Sequence, residues 1–198
     1  MMLTYDHRVS SQAAGGNSFS GDTVKIFLLA LIVCSAFPVL AADPKPTADV
    51  LNRWVGGTWP LDGRMLDSDY SKAMTVTGVS NCAWSPDHIF VVCDQEVLVD
   101  GKSERNLGVY SFDPKTSAYH YVELSPEGRR PQLSDLIISP DGNRWEYRGT
   151  EDVNGKTVQF RSVNEYAGPD HITWWSEYST DGGQHFTKMN SGTETRKP

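Results

Sequence analysis

The stretch "KTVQFRSVNEYAGPDHITWWSEYS", Lys156 to Ser179, decides the fold. Val158 and Phe160 alternate with Gln159 and Arg161, Ile172, Trp174 and Tyr178 alternate with Thr173 and Glu177, and "AGPD" lies between as a turn. Alternation of period two marks strands with one buried face. Setting Phe160 opposite Tyr178 on one face brings Arg161 opposite Glu177 on the other, whereas a one-residue slip sets Phe160 against Glu177. This register predicts that Val158, Phe160, Ser162, Ile172, Trp174, Ser176 and Tyr178 point inward. Two serines among aromatics suit either a cavity wall with polar anchors or a core whose hydroxyls bond locally to backbone. Trp175, opposite Val163, falls on the outer face, where the pair could form an exposed contact patch for a partner.

The same alternation continues in both directions. Strands are expected near 58–66, 72–84, 88–99, 104–112, 118–124, 132–139, 144–150, 156–166, 172–179 and 184–195, separated by turn signals such as "SPDH", "VDGKS", "DPKTS", "SPDGN" and "VNGK". Ten short strands with local connections fit a closed up-and-down barrel or two packed sheets. Ahead of them, "DPKPTADVLNRWVGGTW" predicts one short helix: Thr47 can cap it, Val50, Leu51 and Trp54 recur at helical spacing, and Gly56-Gly57 ends it.

The turn "STDGGQHF", Ser179 to Phe186, has the Ser-x-Asp-x-Gly form of the Asp-box of sialidase-type propellers. A propeller needs at least four blades of four strands, which ten strands cannot supply. "SPDGNRW" and "SPDHIF" repeat the chemistry without a fixed period. All three read as hairpin turns stapled by Ser and Asp side chains, with no catalytic atom.

Residues 24–42 read as a secretory signal peptide: Lys25, an apolar run, then small residues with cleavage expected after Ala41 or Ala42. Pro38 interrupts a run already short for a bilayer span, and Ile32 and Val33 before Cys34 argue against a lipid anchor. Residues 1–23 are polar and aperiodic, as expected of a disordered or mis-assigned leader with translation starting at Val24. Residues 43–47 form a linker and 48–198 one domain, exported to the periplasm or beyond. The chain carries a net charge of −7, and the leader is itself neutral, with Asp6 and Asp22 against Arg8 and Lys25. An acidic domain without a basic cluster argues against nucleic acid or an anionic membrane as partner. The domain's only cysteines, Cys82 and Cys93, flank a turn centred between Asp87 and His88 that sets them opposite each other, so a disulfide is expected.

Catalytic signals are sparse. His88, His120, His171 and His185 show no zinc-ligand spacing, so no metal and no cofactor is expected. His120, in phase with Ala118, Val122 and Leu124, is expected to face inward, where it could serve as acid, base or ligand anchor; a core histidine satisfied by one hydrogen bond is the plainer account. There is no nucleophile elbow and no phosphate loop. The expected ligand-binding set is Phe160, Ser162, Trp174, Ser176, Tyr178 and His120.

"GGTW", with Trp59 opening the first strand directly after the helix, resembles the calycins, the lipocalins and fatty-acid-binding-like barrels. The resemblance implies that Trp59 closes one barrel end and that Arg196, from the last strand, covers it. With "WVGGTW", "YSFDPKTSAYHYV" and "STDGGQHF" before a Thr-Glu-Thr-Arg ending, residues 48–196 resemble a bacterial lipocalin-like domain of unknown function found in exported proteins. That family offers no catalytic residues to carry over; it implies a lipocalin-like antiparallel barrel with an internal cavity. The expected function is non-enzymatic binding of a small apolar or amphipathic molecule. The alternatives are a cell-envelope interaction module and an enzyme using His120.

Overall fold

A computed structural model describes residues 46–125 and 132–198. The expected leader (1–23), the signal peptide (24–42) and most of the linker (43–47) lie outside the described residues. Ten antiparallel strands follow a 3₁₀ helix at Ala48–Arg53: β1 (Trp59–Met65), β2 (Met74–Trp84), β3 (Phe90–Val99), β4 (Lys102–Asp113), β5 (Ala118–Leu124), β6 (Gln132–Ile138), β7 (Arg144–Val153), β8 (Lys156–Tyr166), β9 (His171–Ser179) and β10 (Thr187–Thr195). Each strand pairs with its neighbours in sequence and β1 pairs with β10, closing an up-and-down barrel. Closure gives every strand a partner on both sides.

The register read from Lys156–Ser179 is the one formed: Phe160 faces Tyr178, Arg161 faces Glu177 and Ser162 faces Ser176. On the outer face Arg161 donates through Nε to Glu177 Oε2 at 3.0 Å. Cys82 pairs with Cys93 across β2 and β3, and a disulfide joins them. The three Ser-Pro/Thr-Asp turns share one device. Ser85, Ser139 and Ser179 each donate a hydroxyl to the Asp two residues on, at 2.5, 2.5 and 2.7 Å, while the same hydroxyls accept the backbone N–H of Phe90, Arg144 and Gly183. The serine hydroxyls hold the carboxyls of Asp87 and Asp141 below the usual carboxylate range, and the His185 backbone N–H together with the Ser179 hydroxyl does the same for Asp181.

The N-terminal helix differs from expectation in detail. It is 3₁₀, and the Thr47 side chain makes no cap; instead the Thr47 N–H donates to the Tyr119 hydroxyl, which donates back to the Thr47 carbonyl. The segment is therefore fixed by docking onto the barrel rather than by its own cap. Trp84 Nε1 donates to Asn52 Oδ1 at 2.7 Å and Leu51 is fully buried, so the helix covers one barrel end. Beneath it, Trp54, Trp59, Trp145 and Tyr166 pack edge to face and Tyr110 stacks on Trp54, with ring centroids 5.3–6.4 Å apart. The Arg196 guanidinium lies 4.6 Å over the Trp59 ring, in the position expected for it.

Trp175 does lie outward, opposite Val163, but the expected exposed patch is absent. Val163 is fully buried, and Arg144 and Lys188 stand 5.5 and 5.3 Å over the Trp175 ring. Two cations and their aliphatic stems cover the pair.

Candidate functional site

Above the aromatic floor the barrel is not filled. A cavity of about 1080 Å³ is lined by inward residues from all ten strands, among them Leu61, Val76, Gln95, Tyr110, Tyr121, Tyr147, Phe160, Trp174 and Glu194. Small inward residues make part of this room and position its largest ring. A Cβ on Gly63 would come within 2.7 Å of the Trp174 indole, and one on Gly192 within 2.5 Å, so Trp174 lies flat across a strip of wall that only glycine allows.

Of the residues singled out from sequence, Phe160, Ser162, Trp174 and Ser176 line this cavity. Ser162 and Ser176 hydrogen-bond each other at 2.7 Å across β8 and β9, so they belong to the cavity wall and their hydroxyls meet each other rather than the backbone. Tyr178 is buried against Tyr70, centroids 4.5 Å apart, and is outside the lining. His120 corrects the expectation outright. It is exposed on the outer face, because β5 turns Tyr119 and Tyr121 inward opposite Phe112 and Tyr110. Two phenol rings bury more area than Ala118 and Val122, and Tyr121 fits over Gly108, where a Cβ would lie 3.0 Å from its ring.

The residue that sequence reasoning missed is Glu194. It shares a phase with Gly192 on β10 and with Arg196 just beyond the strand, so its inward direction was readable from the role that the resemblance implies for Arg196. It is 5% exposed and lines the cavity near its floor, opposite Leu61. Burial pushes its carboxyl up to about 8, only partly offset by a hydrogen bond with Ser80. Gln95 Nε2 in turn donates to Ser80 Oγ at 2.9 Å. Glu194 Oε2 has no hydrogen-bond partner, nor do Trp54 Nε1, Trp174 Nε1 and Asn190 Oδ1, all from cavity-lining residues. Buried polar atoms are ordinarily paired; these four border the cavity, and Tyr166 Oη and Arg196 Nε, outside its lining, are likewise without a hydrogen-bond partner. Around them the Tyr110 and Tyr147 hydroxyls lie 3.3 Å apart, and burial holds both phenols and that of Tyr121 well above their ordinary range.

The wall has a second, lateral opening. β6 and β7 pair only from Asp135–Arg148 to Ile138–Trp145. Past that point an outer groove of about 770 Å³ shares Tyr121, Leu133, Ser134, Gly149, Thr150 and Phe160 with the inner cavity. Among the described residues no group of His, Cys, Asp and Glu is placed to hold a metal ion, and no helix is long and apolar enough to cross a membrane.

Fold and cavity together define a lipocalin-like barrel. No protein-family model and no curated protein sequence matches the chain. Among solved structures it resembles the S-type phycobiliprotein lyase CPES from Guillardia theta, at 14% identity and a TM-score of 0.51 over 76% of this chain and 92% of that one. It also resembles Rv2717c from M. tuberculosis, at 15% identity and a TM-score of 0.55 over 79% of this chain and 100% of that one. At such identities the likeness is one of fold.

Proposed function

We propose that the protein is an exported, non-enzymatic carrier or sensor of a small amphipathic molecule held inside the barrel. The observation that carries this reading is the cavity of about 1080 Å³, whose aromatic walls surround buried polar atoms without partners. Ligand sites combine an apolar lining with a few fixed polar groups in this way. Export is supported by the apolar run of residues 26–33 behind Lys25 and by the disulfide. A barrel of the same fold serves as a phycobiliprotein lyase, so the scaffold tolerates chemistry. Here the histidine offered as acid or base points outward, and binding without turnover is the simpler use of the interior.

Native mass spectrometry of the mature domain purified from periplasm tests the reading against the same sample denatured and extracted. A reproducible extra mass that disappears on denaturation is the expected result. A bare protein mass, with no small molecule from a metabolite extract restoring an adduct, would overturn it. The alternative, an envelope interaction module, now rests on the outer face of β6, where Leu133 is 76% and Ile137 47% exposed. Replacing Ile137, which lines neither the cavity nor the groove, with Ser would abolish partner capture under that alternative and leave ligand binding intact under ours.

A further inference from the structure

The ionisable lining of the cavity carries one sign. Glu194 lies near the floor, Glu104, Glu123, Glu151 and Asp152 lie toward the other end, and among the described residues no Lys, Arg or His lines it. The arginines nearest the floor sit behind it, Arg196 over Trp59 and Arg53 over Tyr166. An anionic ligand would be buried beside carboxyl groups with no counter-ion, which is costly. A cation meets the opposite conditions: a buried carboxyl with an unpartnered oxygen, and the faces of Tyr110, Tyr121, Tyr147 and Trp174 around it.

We propose that the barrel's ligand is an organic cation, an ammonium or amidinium group on an apolar, aromatic body, with its charged head on Glu194 Oε2 and its body against the tyrosines and Trp174. This deepens the binding-barrel reading and rests on it. The acidic far end attracts such a ligand and repels anions. Because burial keeps the Glu194 carboxyl protonated below about pH 8, the arriving cation displaces that proton to solvent, and the charge on the floor is unchanged by binding. The groups facing Glu194 are the Ser80 hydroxyl and the hydroxyls of Tyr110, Tyr121, Tyr147 and Tyr166. None of these phenols ionises in that range. Affinity for a cation therefore rises about tenfold per pH unit below about pH 8 and levels above it.

Three probes with one body test this: 1-pyrenemethylammonium, 1-pyrenemethanol and 1-pyrenecarboxylate, followed by energy transfer from the tryptophans. The expected order at pH 7 is ammonium over alcohol over carboxylate, with the ammonium at least about tenfold tighter than the carboxylate and gaining about tenfold from pH 6 to pH 7. Glu194→Gln should remove that pH dependence and the ammonium's advantage, leaving the alcohol within about threefold. The variant is isosteric with the protonated carboxyl already present at neutral pH, and the pH series on the unaltered chain gives the readout without it. A carboxylate that binds as tightly as the ammonium overturns the inference, as does a pH slope that survives Glu194→Gln. If all three bind alike, the cation assignment falls and the binding barrel stands. If none binds, both fall.

Discussion

The helix-covered end of the barrel and the cavity above it use the same kinds of residue to opposite effect. At the covered end the indole of Trp59 donates to the Trp54 carbonyl at 3.1 Å and that of Trp145 to the Gly142 carbonyl at 3.0 Å, and both rings are fully buried. In the cavity the indole N–H of Trp174 has no partner, nor does the Glu194 oxygen, and glycines rather than side chains back the Trp174 ring. At the covered end rings fill the space and two indoles meet carbonyls, although Trp54 Nε1, Tyr166 Oη and Arg196 Nε have no hydrogen-bond partner. The other end leaves space, with Trp174 Nε1, Asn190 Oδ1 and Glu194 Oε2 unmatched along it. The difference teaches that stability is concentrated at the floor and that the region above is free to be specific.

The largest expected effect breaks the floor. Trp59→Ala should cost about 3–5 kcal/mol in urea unfolding, because nothing nearby can collapse into the volume of a fully buried indole. A loss under about 1 kcal/mol would show that the covered end is not where stability resides. Next is the disulfide, whose sequence separation is 11. Replacing Cys82 and Cys93 with Ser together should cost about 2–3 kcal/mol, read as a lower denaturation midpoint with an unchanged slope.

The third prediction addresses the cavity. Between pH 4.5 and about 8 native Glu194 holds a proton that the unfolded chain has already released. Raising pH through that window therefore favours unfolding, by about 1.4 kcal/mol per unit for this one group, and the loss is complete above about 8. Comparing the unaltered chain with Glu194→Gln isolates the group: their stabilities should diverge as pH rises, and parallel curves would mean that Glu194 is hydrated or paired. The smallest effect is at the lateral opening. A Cβ on Gly149 would meet only Ser134 Oγ at 3.7 Å and the Leu133 carbonyl at 3.9 Å. Gly149→Val should then change stability by less than about 1 kcal/mol, and a loss rivalling Trp59→Ala would refute loose packing there.

Outer-face charges repeat the contrast on the solvent side. Glu146 is buried to 9% exposure, and burial raises its carboxyl pKa, but hydrogen bonds from Arg148 and Arg144 outweigh that and hold it low. Arg148 Nε sits 2.6 Å from one of its oxygens and Arg144 Nη2 3.2 Å from the other. Glu194, more deeply buried and without a cation, shifts the other way. Depth of burial and pairing together account for the difference between the two carboxyls.

Much of the barrel was legible because its determinants are local. Alternation in Val158–Arg161 and Ile172–Tyr178 fixed one hairpin's register, since only one pairing matches both faces. The turn between Asp87 and His88 fixed Cys82 against Cys93. The site was legible only where such local patterns reached it, at Phe160, Ser162, Trp174 and Ser176. In β5 both phases carry apolar side chains, Ala118, Val122 and Leu124 in one, Tyr119 and Tyr121 in the other. The choice between them belongs to β4, whose Gly108 leaves room for the Tyr121 ring. His120 followed the losing phase.

By itself, then, the sequence determined strand number, turn chemistry, one register and the cysteine pair, because each follows from periodicity or a short turn, while the covering of Trp59 by Arg196 was implied only by the resemblance to calycins. Only the tertiary structure decided which residues border empty space and which buried polar atoms stay unmatched. Those properties arise when ten strands close on one another: the volume left inside depends on every inward side chain at once, and so does the isolation that makes Glu194 a weak acid.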